Sequence, residues 1–284
     1  PKFWAKISGH SNHSTGGIKA CCSNVRDRQM ARFAPDEQAL KLHIQSGFEE
    51  ELQELVNEAK ARDQKELGAD DEYDSSADGT PNFYDYWDIF PEELREIKAN
   101  VAVIAEEALR VAQNPWIPWP EDSLNSGNAQ DWTVFPFLHT FPALDESRSR
   151  WISSTMAACP QTAALLKGIP NIRTALFSRL DAHTELKSHT GWSDLANYVL
   201  RVHVCLSIPA LETCGLWVNG EIKYHAPGEV IVFDDSKSHM AFNNSDRERI
   251  VLIFDILRPL DVPLGTCHCH CQRRRGIADG VRGV

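Results

Sequence analysis

A mainly β fold with helices packed on it is what this sequence predicts, on three observations. Short apolar segments follow one another between turn residues over 132–259. One of them, 199–208, alternates apolar and polar residues almost without fault, and two longer segments before Trp132 carry a helical period instead. Many short strands at close spacing belong to sandwiches and barrels, cupin-like jelly rolls among them.

Taken in order, residues 1–34 are polar, rich in Gly, Ser and His, and expected as a poorly ordered arm. A helical region is expected over 35–131. Pro35-Asp36-Glu37 opens its first helix, since acidic side chains complement the positive end of a helix dipole. Leu40, Ile44, Phe48, Leu52, Leu55, Val56 and Ala59 then recur at three- and four-residue spacing, which makes one buried face. Residues 68–81 are acidic and small, without an apolar period, and read as a loop. A second helix begins at Pro91-Glu92-Glu93 with proline at its first turn. It presents Leu94, Ile97, Val101, Ile104, Ala108 and Val111 on one face and ends at Asn114-Pro115. Both helices are expected on the outer face of a sheet.

The β region is expected over 132–260. Segments 132–138 and 175–180 read as strands, with a short helix over 162–167 between them. In 199–208, Leu200, Val202, Val204, Leu206 and Ile208 take one face, while Arg201, His203, Cys205 and Ser207 take the other. Segments 215–218 and 222–225 flank Asn219-Gly220, a strong hairpin signal. Strands over 230–233, around His239 and over 250–257 complete the set. Residues 261–284 form a Cys/His/Arg tail. Within it Cys267-His268-Cys269-His270-Cys271 has ligand-type residues at a spacing too short for a zinc finger.

Composition narrows the function. With 29 Lys and Arg against 40 Asp and Glu, the formal net charge is −11, so nucleic acid is not the expected partner. The basic run Arg273-Arg274-Arg275 is short. No stretch approaches the ~20 apolar residues that span a bilayer, and no signal peptide is visible. Among the eight cysteines, Cys159, Cys205 and Cys214 are scattered through the expected core rather than spaced as a disulfide framework. Reduced thiols and a cytoplasmic setting are the expectation.

Three features carry chemistry. Arg201 and His203 lie on one face of an otherwise apolar segment; a solvated face and a polar cavity both account for them. His189-Thr190-Gly191 and His239 place two histidines on separate elements, and neutral imidazole suits iron(II). Among eleven histidines, any such pair is weak by itself. Arg249 opens the apolar run 250–254, where an arginine is costly unless it meets an anion; its planar fork suits a carboxylate.

In sequence order these features join a longer series. It comprises Phe177-Ser178, His189-Thr190-Gly191, Leu200-Arg201-Val202-His203, Pro209, the run from Gly228 through Asp234-Asp235-Ser236, His239, Arg249, Asp255 and Pro259. Upstream stand Cys159-Pro160-Gln161-Thr162 and Leu165-Leu166 before Ile169-Pro170. The series, over nearly half the chain, resembles the aspartyl/asparaginyl β-hydroxylase family of iron(II)- and 2-oxoglutarate-dependent oxygenases. The resemblance implies a double-stranded β-helix with the N-terminal helices packed on it. It implies His189 and His239 as iron ligands. Arg249, helped by Ser178, would bind the distal carboxylate of 2-oxoglutarate, and Arg201 and His203 would line the pocket near the other carboxylate. Most such oxygenases have a carboxylate where this chain has Gly191. As in the β-hydroxylases, water would fill that ligand position, oriented by Asp235. The implied reaction consumes O2 and converts 2-oxoglutarate to succinate while an unactivated C–H bond is hydroxylated.

Departures from the family bear on the substrate. Val199 stands where the peptidyl hydroxylases carry a further arginine, and the loop after His189 is longer, with Trp192, Asp194 and Tyr198 in it. No 34-residue repeat precedes the β region. The expected substrate is a small molecule or peptide, an amino-acid residue or an amino-acid-like metabolite, and the oligomeric state is left open. Two other readings stay open: an iron halogenase, in which chloride takes the position beside Gly191, and a non-catalytic cupin-like metal-binding protein.

Overall fold

Alternating apolar residues need two faces to bury, and the strands of this chain find both. In a computed structural model, residues 37–66, 79–125 and 127–267 are described. The expected arm, most of the acidic loop and the tail beyond Cys267 lie outside the described residues. The chain divides into two units, Pro1–Ala39 and Leu40–Val284, and every named strand belongs to the second.

Twelve strands are named: β1 (Phe83–Tyr84), β2 (Ile117–Pro118), β3 (Trp132–His139), β4 (Arg150–Trp151), β5 (Ile172–Leu180), β6 (Thr184–Glu185), β7 (Val199–Ser207), β8 (Cys214–Val218), β9 (Glu221–Tyr224), β10 (Val230–Phe233), β11 (His239–Asn243) and β12 (Arg249–Leu257). The larger sheet runs β1-β10-β7-β12-β5-β3-β2, with β4 on β3, and the smaller runs β6-β11-β8-β9. All the pairings are antiparallel. This is the jelly-roll architecture that the resemblance implies; strand spacing alone left any sandwich or barrel open. The Asn219-Gly220 hairpin is present with φ of 44° and 91° at its two turn residues, the left-handed pair that such a turn requires.

β12 occupies the centre of the larger sheet and shows how the sequence makes two cores. Its Ile250, Leu252, Phe254 and Ile256 face outward with Leu200, Val202, Val204 and Phe177. Onto that face pack Leu94 and Ile97 of α3 (Pro91–Ala99) and Ile104, Ala108 and Val111 of α4 (Val101–Val111). The register of β12 places Ile253 beside His203 and Asp255 beside Arg201, so the alternate residues look inward. There Leu180, Ile231 and Phe233 of the larger sheet meet Leu216, Val218 and Ala241 of the smaller one. The polar face of β7 is therefore an inward face rather than a solvated one.

Three differences from the expectation have physical causes. The second helix is two: Asn100 (φ −114°, ψ 17°) leaves the helical region, and its side-chain amide donates to the Glu96 carbonyl at 2.8 Å. Asparagine competes with helical hydrogen bonding in this way, and the apolar period runs straight through it. The first helix, α1 (Glu37–Glu66), does not join the outer face; its Phe48 and Leu52 belong to the inner cluster with Trp132, Leu180 and Phe233. Ion pairs tie it there, Glu58 to Arg148 at 2.7 Å and Arg62 to Asp194 at 2.7 Å, while the Ser193 hydroxyl donates to Asp63 at 2.6 Å. An apolar stripe specifies burial, not which surface buries it. Short helices α2 (Tyr86–Ile89), α5 (Ser153–Ala158) and α7 (Ser193–Ala196) are too brief for a legible period. The expected short helix is α6 (Pro160–Lys167), whose first turn is capped from α4: the Thr162 amide and hydroxyl both donate to Glu107, at 2.8 and 2.7 Å. Among the described residues, no helix is long and apolar enough to cross a membrane.

Candidate active site

The segment after β6 continues alongside β11, and that continuation brings the two histidines together. Leu186 donates to the Ala241 carbonyl at 2.9 Å, and His189 and His239 then exchange both backbone hydrogen bonds, at 3.0 and 2.8 Å. Their ring centroids lie 4.4 Å apart. Each ring is held by the same device. Nδ1 of His189 is 2.8 Å from the Lys187 carbonyl, and Nδ1 of His239 is 2.9 Å from the Lys237 carbonyl. A carbonyl only accepts, so both Nδ1 atoms carry the proton and both Nε2 atoms keep a lone pair. Burial holds both rings below the usual histidine range, and in His239 the neighbouring His189 adds to it. Two neutral imidazoles with oriented lone pairs are the ligating form.

Gly191 and Asp235 are fitted to one another. The Gly191 amide donates to the Asp235 carbonyl at 2.9 Å. A Cβ built at 191 collides with the Asp235 carboxylate and stands 2.7 Å from Cβ of Ala196. The carboxylate of Asp235 thus fills the space that a side chain at 191 would need. Its Oδ1 lies 3.4 Å from Nε2 of His239 and 2.6 Å from Nη1 of Arg201. Burial pushes this carboxyl up to about 7, with Arg201 opposing. Nε2 of His239 thus faces a carboxyl oxygen that can donate a proton to it when neutral or share a cation with it when ionised. Among the described residues, no cluster of three or more His, Cys, Asp or Glu side chains is set to hold a metal.

This fit carries a prediction. Gly191→Ala is expected to displace Asp235 and weaken metal binding by ~10–100-fold, the usual cost of losing an outer partner. Gly191→Asp should do no better, because its carboxylate has no room. Titration of manganese(II) into each variant checks both; unchanged affinity in Gly191→Ala would refute the interlock.

Arg201 has a different setting from the one the resemblance implies. Its Nε and Nη2 grip Asp255 at 2.8 and 3.0 Å, and its Nη1 faces Asp235. Thr174 donates its hydroxyl to the same Asp255 carboxylate. The guanidinium lines the cavity, but its donors point at two buried carboxylates. That makes it a holder of Asp235 rather than a free cosubstrate contact.

From the histidine pair a cavity runs inward past Phe233, His203 and Ile253 to Ser178 and Arg249. Arg249 is 1% exposed, and its Nε and Nη1 have no hydrogen-bond partner among the described residues. Burial lowers its pKa to about 10. Ser178 accepts from Nε1 of Trp132 at 3.2 Å, which leaves its own hydroxyl proton to give. Nδ1 of buried His203 is also unpartnered. The residues expected at the site line two adjoining pockets that share His189 and Arg201: Asp235 stands in the outer one, and Ser178, His203, His239 and Arg249 in the inner one.

Toward solvent the cavity widens between Phe48 and Leu52 of α1, Trp119, Leu176 and Trp192. Trp119 stacks on Trp132 at 4.9 Å and on Trp192 at 6.0 Å. Nothing in the sequence marks the α1 residues or Trp119 as site residues; the segment 115–120 shows only alternating tryptophans and prolines.

The profile of the aspartyl/asparaginyl β-hydroxylase family matches residues 98–259, more than half of the chain. The chain belongs to this family. Among its curated relatives in the family, the ornithine lipid ester-linked acyl 2-hydroxylase of Rhizobium tropici is 35% identical over 107 residues, covering 37% of each protein. The human aspartyl/asparaginyl β-hydroxylase is 26% identical over 196 residues, 66% of this chain and 23% of that one. The chain therefore spans well under half the length of these relatives. A solved oxidoreductase of the 2OG-Fe(II) oxygenase family from Burkholderia pseudomallei aligns over 56% of this chain and 81% of its own, at 16% identity and a TM-score of 0.40. The family match runs from the end of α3 through β12, whereas α1 lies outside it.

Proposed function

We propose that this chain is an iron(II)- and 2-oxoglutarate-dependent hydroxylase. The observation that carries the proposal is Arg249, a buried guanidinium with unpartnered donors, at the far end of a cavity that starts at two ligand-ready histidines. A buried cation asks for an anion, and the planar fork asks for a carboxylate. His189 and His239 would hold iron through Nε2, and Arg249 with Ser178 would hold the distal carboxylate of 2-oxoglutarate. Iron, 2-oxoglutarate and O2 supply the oxidising chemistry when bound. His203 lines the passage between the two ends, and Arg201 keeps Asp235 aimed at the metal side. The apolar walls of Leu176, Ile253 and Trp132 exclude water from the cavity.

The substrate we assign is an amino-acid residue or amino-acid-like molecule whose reacting carbon enters beside an apolar segment. The mouth formed by Phe48, Leu52, Trp119 and Trp192 supports that segment, and one curated relative is named for hydroxylating the acyl chain of an amino-acid lipid. Halogenation is disfavoured because the space beside Gly191 holds a carboxylate, which repels chloride. A purely metal-binding cupin would have no need of Arg249.

The test is 2-oxoglutarate turnover with iron(II) and O2 in the presence of candidate amino acids, peptides and amino-acid lipids. Succinate should form together with a product one oxygen atom heavier. If succinate formation is no greater than in Arg249→Met with every candidate, the assignment is wrong.

A further inference from the structure

Behind Arg249 the fold buries a second imidazole that the family's motif series does not include. His225 follows β9, and its amide donates to the Cys214 carbonyl at 2.8 Å, extending the β8–β9 pairing by one residue. In that register its side chain falls on the same inward side as Cys214, Leu216 and Val218. The ring is 0% exposed, and neither Nδ1 nor Nε2 has a hydrogen-bond partner among the described residues. Its centroid lies 5.8 Å from that of His203. Arg249 lies near enough for its charge to act on both rings.

Buried polar atoms are nearly always satisfied, so a group of them left open together points to a missing partner. Here the open atoms are Nε and Nη1 of Arg249, Nδ1 of His203, and both nitrogens of His225. All of them belong to basic side chains. A neutral imidazole has one N–H to donate in either tautomer, so His225 offers a donor whichever nitrogen carries the proton. We propose that His225 is a further anchor of the dicarboxylate pocket, donating to the same distal carboxylate that Arg249 holds. This rests on the hydroxylase reading above. His225 would reach that carboxylate from the smaller sheet, beside His203, while Arg249 and Ser178 line the pocket from the larger one.

The experiment is calorimetric titration of 2-oxoglutarate into the manganese(II)-loaded protein, without O2, for the unmutated chain and for His225→Leu, His225→Gln and Arg249→Met. Thermal melts of the same proteins without ligand accompany it. His225→Leu should bind 2-oxoglutarate about tenfold more weakly, the loss expected of one good hydrogen bond to a charged group. Its ligand-free melting temperature should not fall, because the ring makes no hydrogen bond there to lose. His225→Gln, which keeps a donor, should recover much of the affinity. Affinity within twofold of the unmutated protein in His225→Leu would overturn the proposal. So would a parallel loss of affinity and ligand-free stability with no recovery in His225→Gln, since that pattern marks a structural residue. Should the leucine variant not fold, nitrogen-15 spectra of the unmutated protein decide: the His225 ring signals must move when 2-oxoglutarate is added, and static signals refute the contact. Failure of the unmutated chain to bind 2-oxoglutarate is a different result, which removes the hydroxylase reading and this inference with it.

Discussion

Replacing either His189 or His239 by alanine is expected to abolish iron binding and turnover together. If the proposed pair is the donor set, one loss leaves a single protein nitrogen on the ion. The effect should exceed the ~10–100-fold that follows loss of an outer partner. Neither replacement should disturb the fold, because the two residues are joined through their backbones, at 3.0 and 2.8 Å, and alanine keeps those bonds. The surviving ring also stays in place, since its own carbonyl two residues upstream orients it. Metal content after iron(II) loading, succinate formation and a thermal melt should be read on the same samples. His239→Ala that retained its full iron content would remove the metal assignment.

Arg249→Met should cost the protein its cosubstrate and make it more stable. Truncating one side of a buried, hydrogen-bonded charge pair costs about 2–5 kcal/mol in binding, so the KM for 2-oxoglutarate should rise by about thirtyfold or more. Lysine should rescue little, because a point charge does not reproduce the fork. Stability moves the other way for a stated reason. In the ligand-free protein, burial takes the guanidinium from its usual range down to about 10, and keeping it charged costs on the order of 3 kcal/mol. The folded pKa lies below the unfolded one, so this penalty is present in full at neutral pH and fades only as pH rises past about 10. Methionine fills similar space without the charge, and such exchanges at function-bearing sites commonly stabilise. Urea unfolding without ligand should show a higher midpoint for Arg249→Met. An unchanged KM would refute the clamp, and a lower midpoint would show that Arg249 has a structural partner.

The parts of the fold legible in the sequence were those whose signal is local. Strand alternation in β7 named both of its faces, and Asn219-Gly220 named its turn, because each depends only on neighbouring residues. Which of the two faces of β7 met solvent was not local information, and the resemblance to a family rather than the period pointed to the cavity. The same limit explains α1. Its stripe of Phe48, Leu52 and Val56 was readable, but its place at the cavity mouth depends on charges at Arg148 and Asp194, many residues away. The break at Asn100 went unseen because the apolar period is continuous across it. Within the site, Arg249 stood out as a charged residue opening an apolar run, whereas His189 and His239 sit among polar neighbours and were marked only by the resemblance. Arg201 stood out equally, yet its engagement by Asp255 follows from strand register and that by Asp235 from the loop after β10, neither of which is local information. His225 ends an exposed strand whose neighbours gave no reason to expect burial.

The interlock of Gly191 with Asp235 also constrains how this site changes over generations. A lineage reaching a three-ligand arrangement from here must introduce an acid at 191 and shrink residue 235. The first step alone collides with the carboxylate already in place. The second alone removes the only acidic group beside His239 among the described residues. Both intermediates are handicapped, so the route in either direction crosses a fitness valley. Glycine and aspartate at these two positions are then inherited as one character rather than two.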